Sequence, residues 1–147
     1  MELTQAGYIK AVSLPKKANQ QKNDFKEYTS KEGYKILVGK NNIQNDLITT
    51  RLASKRDVWF HTKNIPGSHV VVFCDGAELS EETLLKAALL AAKNSKAANS
   101  SQVPVDYTQI KNVKKPAGSR PGMVIYHVYN TVNVTPDEAF VKERAVK

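Results

Sequence analysis

The stretch from Asp57 to Phe73 constrains the fold of this chain more than any other segment. Its sequence, DVWFHTKNIPGSHVVVF, predicts a short strand, a turn around Pro66 and Gly67, and a second, fully apolar strand. It also contains the only Trp and two of the three His of the chain. This concentration of chemically distinctive residues indicates a functional site, and we expect the remaining segments to support it and surround it with positive charge.

The rest of the sequence predicts two helices and several strands joined by hairpin-like turns. Ser80 is a good N-cap, and the acidic residues that follow suit the first turn of a long helix with an apolar stripe. We therefore expect an α+β fold in which a largely antiparallel sheet packs against one long helix plus a shorter helix. The other predicted elements are a hairpin over 28–39, a short helix over about 45–53, and strands over 103–107, reaching toward 113, and over 123–134.

Three regions are expected along the chain. Residues 1–27 are predicted to be the end of a preceding helical arm followed by a basic linker, because apolar residues at the start have helical spacing and Lys, Asn and Gln dominate afterwards. Residues 28–136 form the folded domain, and residues 137–147 form a charged C-terminal tail. Since no helix start signal precedes the first segment, we expect a fragment of a longer protein.

The charge balance favours a polyanionic partner. The chain has 147 residues, with 22 Lys and Arg against 14 Asp and Glu, and a formal net charge of +8. Nucleic acid, an anionic surface and a sulfated glycan all fit this excess. A single Cys excludes an internal disulfide, no apolar run approaches the ~20 residues of a membrane span, and the N-terminus has no signal-peptide core. A cytoplasmic protein is the expectation.

Alternation along the first strand places three distinctive side chains together. Asp57, Trp59 and His61 are spaced by two and project from one face, while Phe60 points to the core. His69 lies beside His61 if the Pro-Gly corner reverses the chain. An Asp with two His could bind a divalent metal or cleave a phosphodiester. The spacing matches no zinc motif and no second carboxylate follows nearby, so we expect no catalytic residue, no metal and no cofactor.

The same residues suit RNA binding without catalysis. Trp offers a stacking face for an unpaired base, His and Ser donate hydrogen bonds to phosphate or hydroxyl oxygens, and Asp orients a His or accepts from a base edge. Cations from other segments, above all the basic loop over 111–122, would ring this platform. The alternative is that the rings are core residues and the lysines only solubilise the chain. The candidate RNA-binding residues are Lys40, Arg51, Lys55, Arg56, Asp57, Trp59, His61, Lys63, Ser68, His69, Lys114, Lys115 and Arg120.

Four segments also resemble, in order, the signatures of a known family. They are YKILVGKNNIQNDLIT, DVWFHTKNIPGSHVVV, VPVDYT and KKPAGSRPGMVIY, which are similar to those of the NFACT-R domain. This domain is the RNA-binding module of the NFACT family, whose bacterial members include RqcH-type and fibronectin-binding-protein-A-like proteins. The resemblance covers about residues 28–136 and matches the family motif at Asp57, Trp59, His61 and 66–69. The family's N-terminal, helix-hairpin-helix and coiled-coil regions have no counterpart in this sequence.

The resemblance implies a role in ribosome-associated quality control. Family members bind an obstructed large ribosomal subunit and recruit tRNA, so that a C-terminal alanine tail is added to the stalled chain without mRNA. This domain alone is then expected to bind RNA or the ribosome without elongating tails. The runner-up is a surface adhesin that binds fibronectin, which would require exposure at the cell surface without a signal peptide. A metal-dependent RNA-processing enzyme is the third alternative.

Overall fold

The structure is a computed structural model that describes residues 24–136. The helix and most of the linker predicted over 1–27, and the tail predicted over 137–147, lie outside this range. The described part forms helices α1 (Asn42–Leu47) and α2 (Glu81–Lys93) and strands β1 (Lys26–Thr29), β2 (Lys35–Val38), β3 (Val58–Thr62), β4 (Val70–Phe73), β5 (Val103–Gln109), β6 (Val113–Lys114), β7 (Ile125–Tyr126) and β8 (Asn130–Val134).

A six-stranded antiparallel sheet organises these elements, with the strand order β1-β2-β4-β3-β5-β8. The hairpin predicted around Pro66 and Gly67 supplies its two central strands, in which Trp59 lies opposite Val71 and Phe60 opposite Val70. β4 has a neighbour on each side, and its side chains are covered on both faces of the sheet. This burial explains why the β4 sequence is apolar without alternation.

The long helix covers one face of the sheet. The Ser80 side chain accepts a hydrogen bond from the Thr83 amide and caps the first turn, as the sequence predicts. Alanines recur along the buried side of α2 and allow the helix to approach the sheet closely. Leu90 packs with Phe60 and with alternate valines of β4 in the main apolar core. Helix and sheet thus form the predicted α+β arrangement.

A second, smaller core lies on the opposite face of the sheet. Asn41 caps α1 by accepting a hydrogen bond from the Gln44 amide at 2.8 Å. The helix then continues as a π-helical turn over Ile48–Leu52. Buried residues of this turn and of the segment after β5 pack against Trp59 and its sheet neighbours, and the β6–β7 pair closes the cluster from outside.

The fold class predicted from the sequence is confirmed, but the predicted bounds of two elements, the short helix and the last strand, are wrong. The short helix begins at Asn42, three residues before the predicted start, because Asn41 provides the cap. The strand predicted over 123–134 is divided: β7 pairs with β6, and only β8 joins the main sheet. The division follows from Tyr126, whose ring packs on Trp59 on the face of the sheet. Within residues 24–136 no helix is long and apolar enough to cross a bilayer.

Candidate nucleic-acid interface

Trp59, His61 and His69 form an aromatic cluster on the face of the sheet opposite α2. The His61 ring stacks on the indole, with 5.7 Å between centroids and 6° between planes. His69 meets both rings edge-on, with its centroid 5.4 Å from each. Alternation along β3 and the Pro-Gly corner therefore bring the two imidazoles together as the sequence predicts.

The indole does not face solvent. Trp59 is only 1% exposed, because His61 lies parallel to its ring and Tyr126 contacts it edge-on with 4.9 Å between centroids. The expectation that this ring is a stacking platform for RNA bases is wrong, since a base has no access to its face. The indole Nε1 is buried without a hydrogen-bond partner among the described residues. Trp59 is therefore a core residue that supports the surface above it.

His69 is also buried, at 3% exposure, and is not available to donate to a phosphate. Its Nδ1 is 2.7 Å from the Thr49 hydroxyl, and its amide donates to the Asn45 side chain at 3.0 Å. Burial, with the neighbouring His61, lowers the pKa of His69 to about 3. Burial also lowers the pKa of His61, which remains partly accessible. The His69 ring is thus neutral at pH 7 and adds no charge to an RNA-binding surface.

Asp57 has a structural role that its spacing did not predict. Its carboxylate accepts hydrogen bonds from the Ser54 amide at 2.8 Å and the Asp75 amide at 2.9 Å, and the residue is 3% exposed. These bonds join the turn before β3 to the turn after β4. The carboxylate therefore neither orients a histidine nor faces a base edge, contrary to the prediction from the sequence.

A buried carboxylate in β5 completes the polar structure around the aromatic cluster. Asp106 is paired with His61 across the sheet and accepts hydrogen bonds from the hydroxyls of Tyr126, at 2.5 Å, and Thr131, at 2.7 Å. The Lys63 ammonium lies 3.3 Å from the same carboxylate and 4.4 Å from the ring centroid of Tyr129. Burial and the Asp106 carboxylate raise the pKa of Tyr126. Lys63 is therefore engaged within the domain rather than free for RNA.

Four lysines from two segments, one before β3 and one directly after β5, surround one cavity on this side of the sheet. This basic cavity has a volume of about 320 Å³ and contains Lys55, Lys111, Lys114 and Lys115 in its lining. The Lys111 amide donates to the Lys55 carbonyl at 3.1 Å, which fixes the two segments together. Lys55, Lys111 and Lys114 are exposed. The basic loop predicted over 111–122 therefore does approach the cations at the end of the short helix.

Lys115 differs from its neighbours because it anchors the loop. Its ammonium lies 2.9 Å from the Asp46 carboxylate and donates to the Arg120 carbonyl at 2.5 Å. Asp46 also accepts from the Gly122 amide at 3.0 Å, so one carboxylate on α1 holds both sides of the loop. Backbone hydrogen bonding and the Lys115 ammonium lower the pKa of Asp46 against the effect of burial. Lys115 positions the other cations more than it offers its own charge.

The remaining predicted residues lie at other places. Lys40 and Ser68 line a second cavity, and Arg56 lies 3.9 Å from the Asp75 carboxylate. Arg51 and Arg120 are exposed. Sequence reasoning missed Lys96 in the second cavity and Asp106, although a single acid in the apolar alternation of β5 was a signal of a buried partner. Among the described residues, no three His, Cys, Asp or Glu side chains are grouped to hold a metal ion.

The domain has helices on both faces of its sheet and a basic cavity beside the loop. It belongs to a family of RNA-binding domains. The chain is a member of the family described as "NFACT protein RNA binding domain", whose model matches residues 24–127. The family resemblance noted in the sequence is confirmed.

Three curated relatives illustrate the similarity. "Rqc2 homolog RqcH" of Bacillus subtilis (strain 168) is 49% identical over 142 residues, which cover 92% of this chain and 24% of the relative. The protein of the same name from Streptococcus suis (strain 05ZYH33) is 43% identical, with 99% of this chain and 26% of the relative covered. Mouse "Coiled-coil domain-containing protein 25" is 30% identical, with 75% and 55% covered. The chain therefore spans about a quarter of the length of its RqcH relatives.

A solved structure shows the same fold. It is described as the C-terminal part of the fibronectin/fibrinogen-binding protein from Streptococcus suis, and it is 44% identical with a TM-score of 0.79. The similarity covers 83% of this chain and 49% of that one.

The buried imidazole makes stability dependent on pH. In the unfolded chain His69 gains a proton below its ordinary pKa of 6.5, whereas the folded chain resists protonation until about pH 3. The stabilisation is thus complete above pH 6.5 and is lost as the pH falls toward 3, by about 2 kcal/mol between pH 7 and pH 5. Urea unfolding at pH 7, 6 and 5 measures this loss. His69→Asn should remove most of the dependence, and an unchanged slope would contradict the assignment.

Because its indole is buried, Trp59 can be used to test whether this residue stabilises the core or stacks on RNA bases. Trp59→Phe should cost about 1–2 kcal/mol of stability through lost packing and leave RNA affinity within about twofold. In the wild type, acrylamide should quench the fluorescence of this single Trp weakly, and added RNA should not quench it by stacking. Strong quenching by RNA would restore the platform that the structure excludes.

Proposed function

We propose that this domain binds RNA through the basic cavity. The single observation that supports the proposal most is the convergence of Lys55, Lys111 and Lys114, all exposed, around a cavity whose lining contains no acidic residue. Within residues 24–136, the one carboxylate that the lysines of this cavity contact is Asp46, which is engaged by Lys115 and the Gly122 amide. Positive charge concentrated in a concave surface attracts phosphate groups and releases their counterions.

The lining also indicates the kind of contact. Thr49 and Thr50 supply hydroxyls, and the other uncharged side chains of the cavity are aliphatic, so no aromatic ring is presented for stacking. Lysine ammonium groups recognise phosphates as point charges and do not read base edges by bidentate hydrogen bonds as arginine does. Binding at this cavity should therefore depend on the backbone and shape of the RNA more than on its sequence.

We further propose that the domain is the RNA-binding and ribosome-binding module of a ribosome-associated quality-control factor. The names of the RqcH relatives support this assignment, and the family resemblance in the sequence implies the same role. In the whole protein the domain would help to hold an obstructed large subunit and recruit tRNA for alanine tailing of the stalled chain. This activity places the protein in the cytoplasm.

The domain acts in this proposal by binding and not by catalysis. His69 is buried, bonded to Thr49 and neutral at pH 7, so the histidine pair has only His61 available for proton transfer. Asp57 is committed to backbone amides. The two groups that the enzymatic alternative requires beside His61 are therefore held in structural contacts.

A fibronectin-binding adhesin is the second candidate. The observation that favours it is the description of the Streptococcus suis structure as part of a fibronectin/fibrinogen-binding protein. Complementary charge alone can attract this basic domain to acidic or heparin-like surfaces. Binding to fibronectin that persists after nuclease treatment and at about 0.5 M salt would favour a specific protein interface, because charge attraction is largely screened there.

The RNA-binding proposal predicts a steep dependence of affinity on salt. Lys111→Ala with Lys114→Ala should weaken binding to tRNA about 10- to 100-fold near 0.1 M salt, and should reduce the slope of log affinity against log salt by about 2. The control is Lys31→Ala with Lys35→Ala, which removes the same charge at the β1–β2 hairpin. Fluorescence anisotropy at four salt concentrations measures the affinity and its salt slope for both double variants. Equal losses for the two pairs would show that net charge, and not the basic cavity, determines binding.

A further inference from the structure

A second cavity lies where the start of α1, the Pro-Gly corner and the end of α2 meet. We call it the polar pocket. It has a volume of about 390 Å³ and is lined by residues from three segments, 40–45, 66–68 and 94–96. The side chains in its lining are lysines, asparagines and serines with one proline. Its size is within the ~300–1,000 Å³ range of small-ligand sites.

The walls of the polar pocket are held by close backbone packing. A Cβ on Gly39 would lie 2.0 Å from the Asn45 Oδ1, and a Cβ on Gly67 would lie 2.7 Å from the Ser95 Cβ. The Ser68 amide donates to the Asn94 carbonyl at 3.1 Å, and the Lys96 amide donates to the Pro66 carbonyl at 2.9 Å. The corner is thus fixed to the end of α2, and the pocket is preformed rather than an opening between mobile loops.

Three polar side chains of the pocket are unused within the domain. The side chains of Asn42, Ser68 and Lys96 make no hydrogen bond or ion pair with other residues in 24–136, and Lys96 is exposed. Lys40 adds a second ammonium, which lies 3.1 Å from the Asp24 carboxylate. An ammonium group binds phosphate, a carboxamide both donates to and accepts from a base edge, and a hydroxyl does the same with a ribose 2′-OH.

We propose that the polar pocket receives one unpaired nucleotide of the RNA that the basic cavity holds. The inference rests on the proposed function and specifies the form of RNA that the domain prefers. A paired base cannot leave its helix to enter a pocket without the cost of unpairing, whereas a single strand presents free bases. Lys96 and Lys40 would hold the phosphate, and Asn42 and Ser68 would contact the base and ribose.

The position of the pocket suits a strand that also reaches the basic cavity. α1 and the π-helical turn connect the two sites, because Asn42 lines the first and Thr50 lines the second. Eight residues of helix span roughly 12 Å, at ~1.5 Å per residue. At about 3.4 Å per stacked nucleotide, a single strand of roughly five nucleotides covers this distance. Both sites then act on one RNA segment.

The test compares single-stranded with double-stranded RNA on the full chain. We expect the triple variant Asn42→Ala, Ser68→Ala, Lys96→Ala to lose affinity for a 5′-labelled 12-nucleotide RNA about tenfold, since it lacks one phosphate contact and two hydrogen bonds. Affinity for a blunt duplex of the same sequence should change less than about twofold. The charge-matched control Lys31→Ala should reduce both affinities equally and slightly.

Asp24→Asn should tighten single-strand binding about twofold, because it releases Lys40.

The outcomes separate this inference from the proposed function. Equal losses for both RNAs, or no loss for either, in a triple variant with unchanged thermal stability would overturn the polar pocket as a nucleotide site. If Lys111→Ala with Lys114→Ala still weakens binding in that case, RNA binding at the basic cavity stands and only the pocket is wrong. If the wild-type chain binds neither RNA, both proposals fail.

Discussion

The structure depends on the coverage of Trp59 on the second face of the sheet. An indole on a central strand has to be shielded from water, and here His61, His69 and Tyr126 shield it. Tyr126 reaches the indole only because β7 is detached from β8 and its hydroxyl bonds to Asp106. β7 pairs instead with β6, which contains Lys114, and the Lys111 amide donates to the Lys55 carbonyl. The segments that cover the indole therefore also carry lysines of the basic cavity.

Much of the fold was predictable because its signals are local. The β3–β4 hairpin follows from the Pro-Gly corner, and α2 follows from its cap and apolar stripe. Alternation correctly placed Trp59 and His61 on one face of β3. Alternation does not say whether that face is exposed, because the cover comes from residues around Tyr126, more than sixty positions later in the chain. The burial of Trp59, and with it the lowered pKa of His69, could not be deduced from the sequence.

Only part of the candidate site could be predicted, because some of its contacts join residues that are distant in the sequence. The sequence identified the lysines of the basic loop, and the structure brings Lys114 and Lys115 to Lys55. It could not identify which cations are neutralised by distant acids, since Lys115 meets Asp46 and Lys63 meets Asp106 only after folding. The family resemblance could be recognised because four motifs occur in order, but motifs do not state which of their residues are buried. Asp57 is one of these buried motif residues, because its carboxylate accepts hydrogen bonds from two backbone amides.

The order of strands in the sheet also has a mechanical consequence. The described chain enters at β1 and leaves at β8, which are the two opposite edges of the sheet. Five strand spacings of about 4.8 Å separate these edges by roughly 24 Å. A tension applied between the two ends would pull across the strands, and the hydrogen bonds of an edge strand would open one after another instead of all together. A small domain that is pulled by these two ends would therefore open at low force from its edge strands, β1 and β8. The central β3–β4 hairpin, which contains Trp59, would open last.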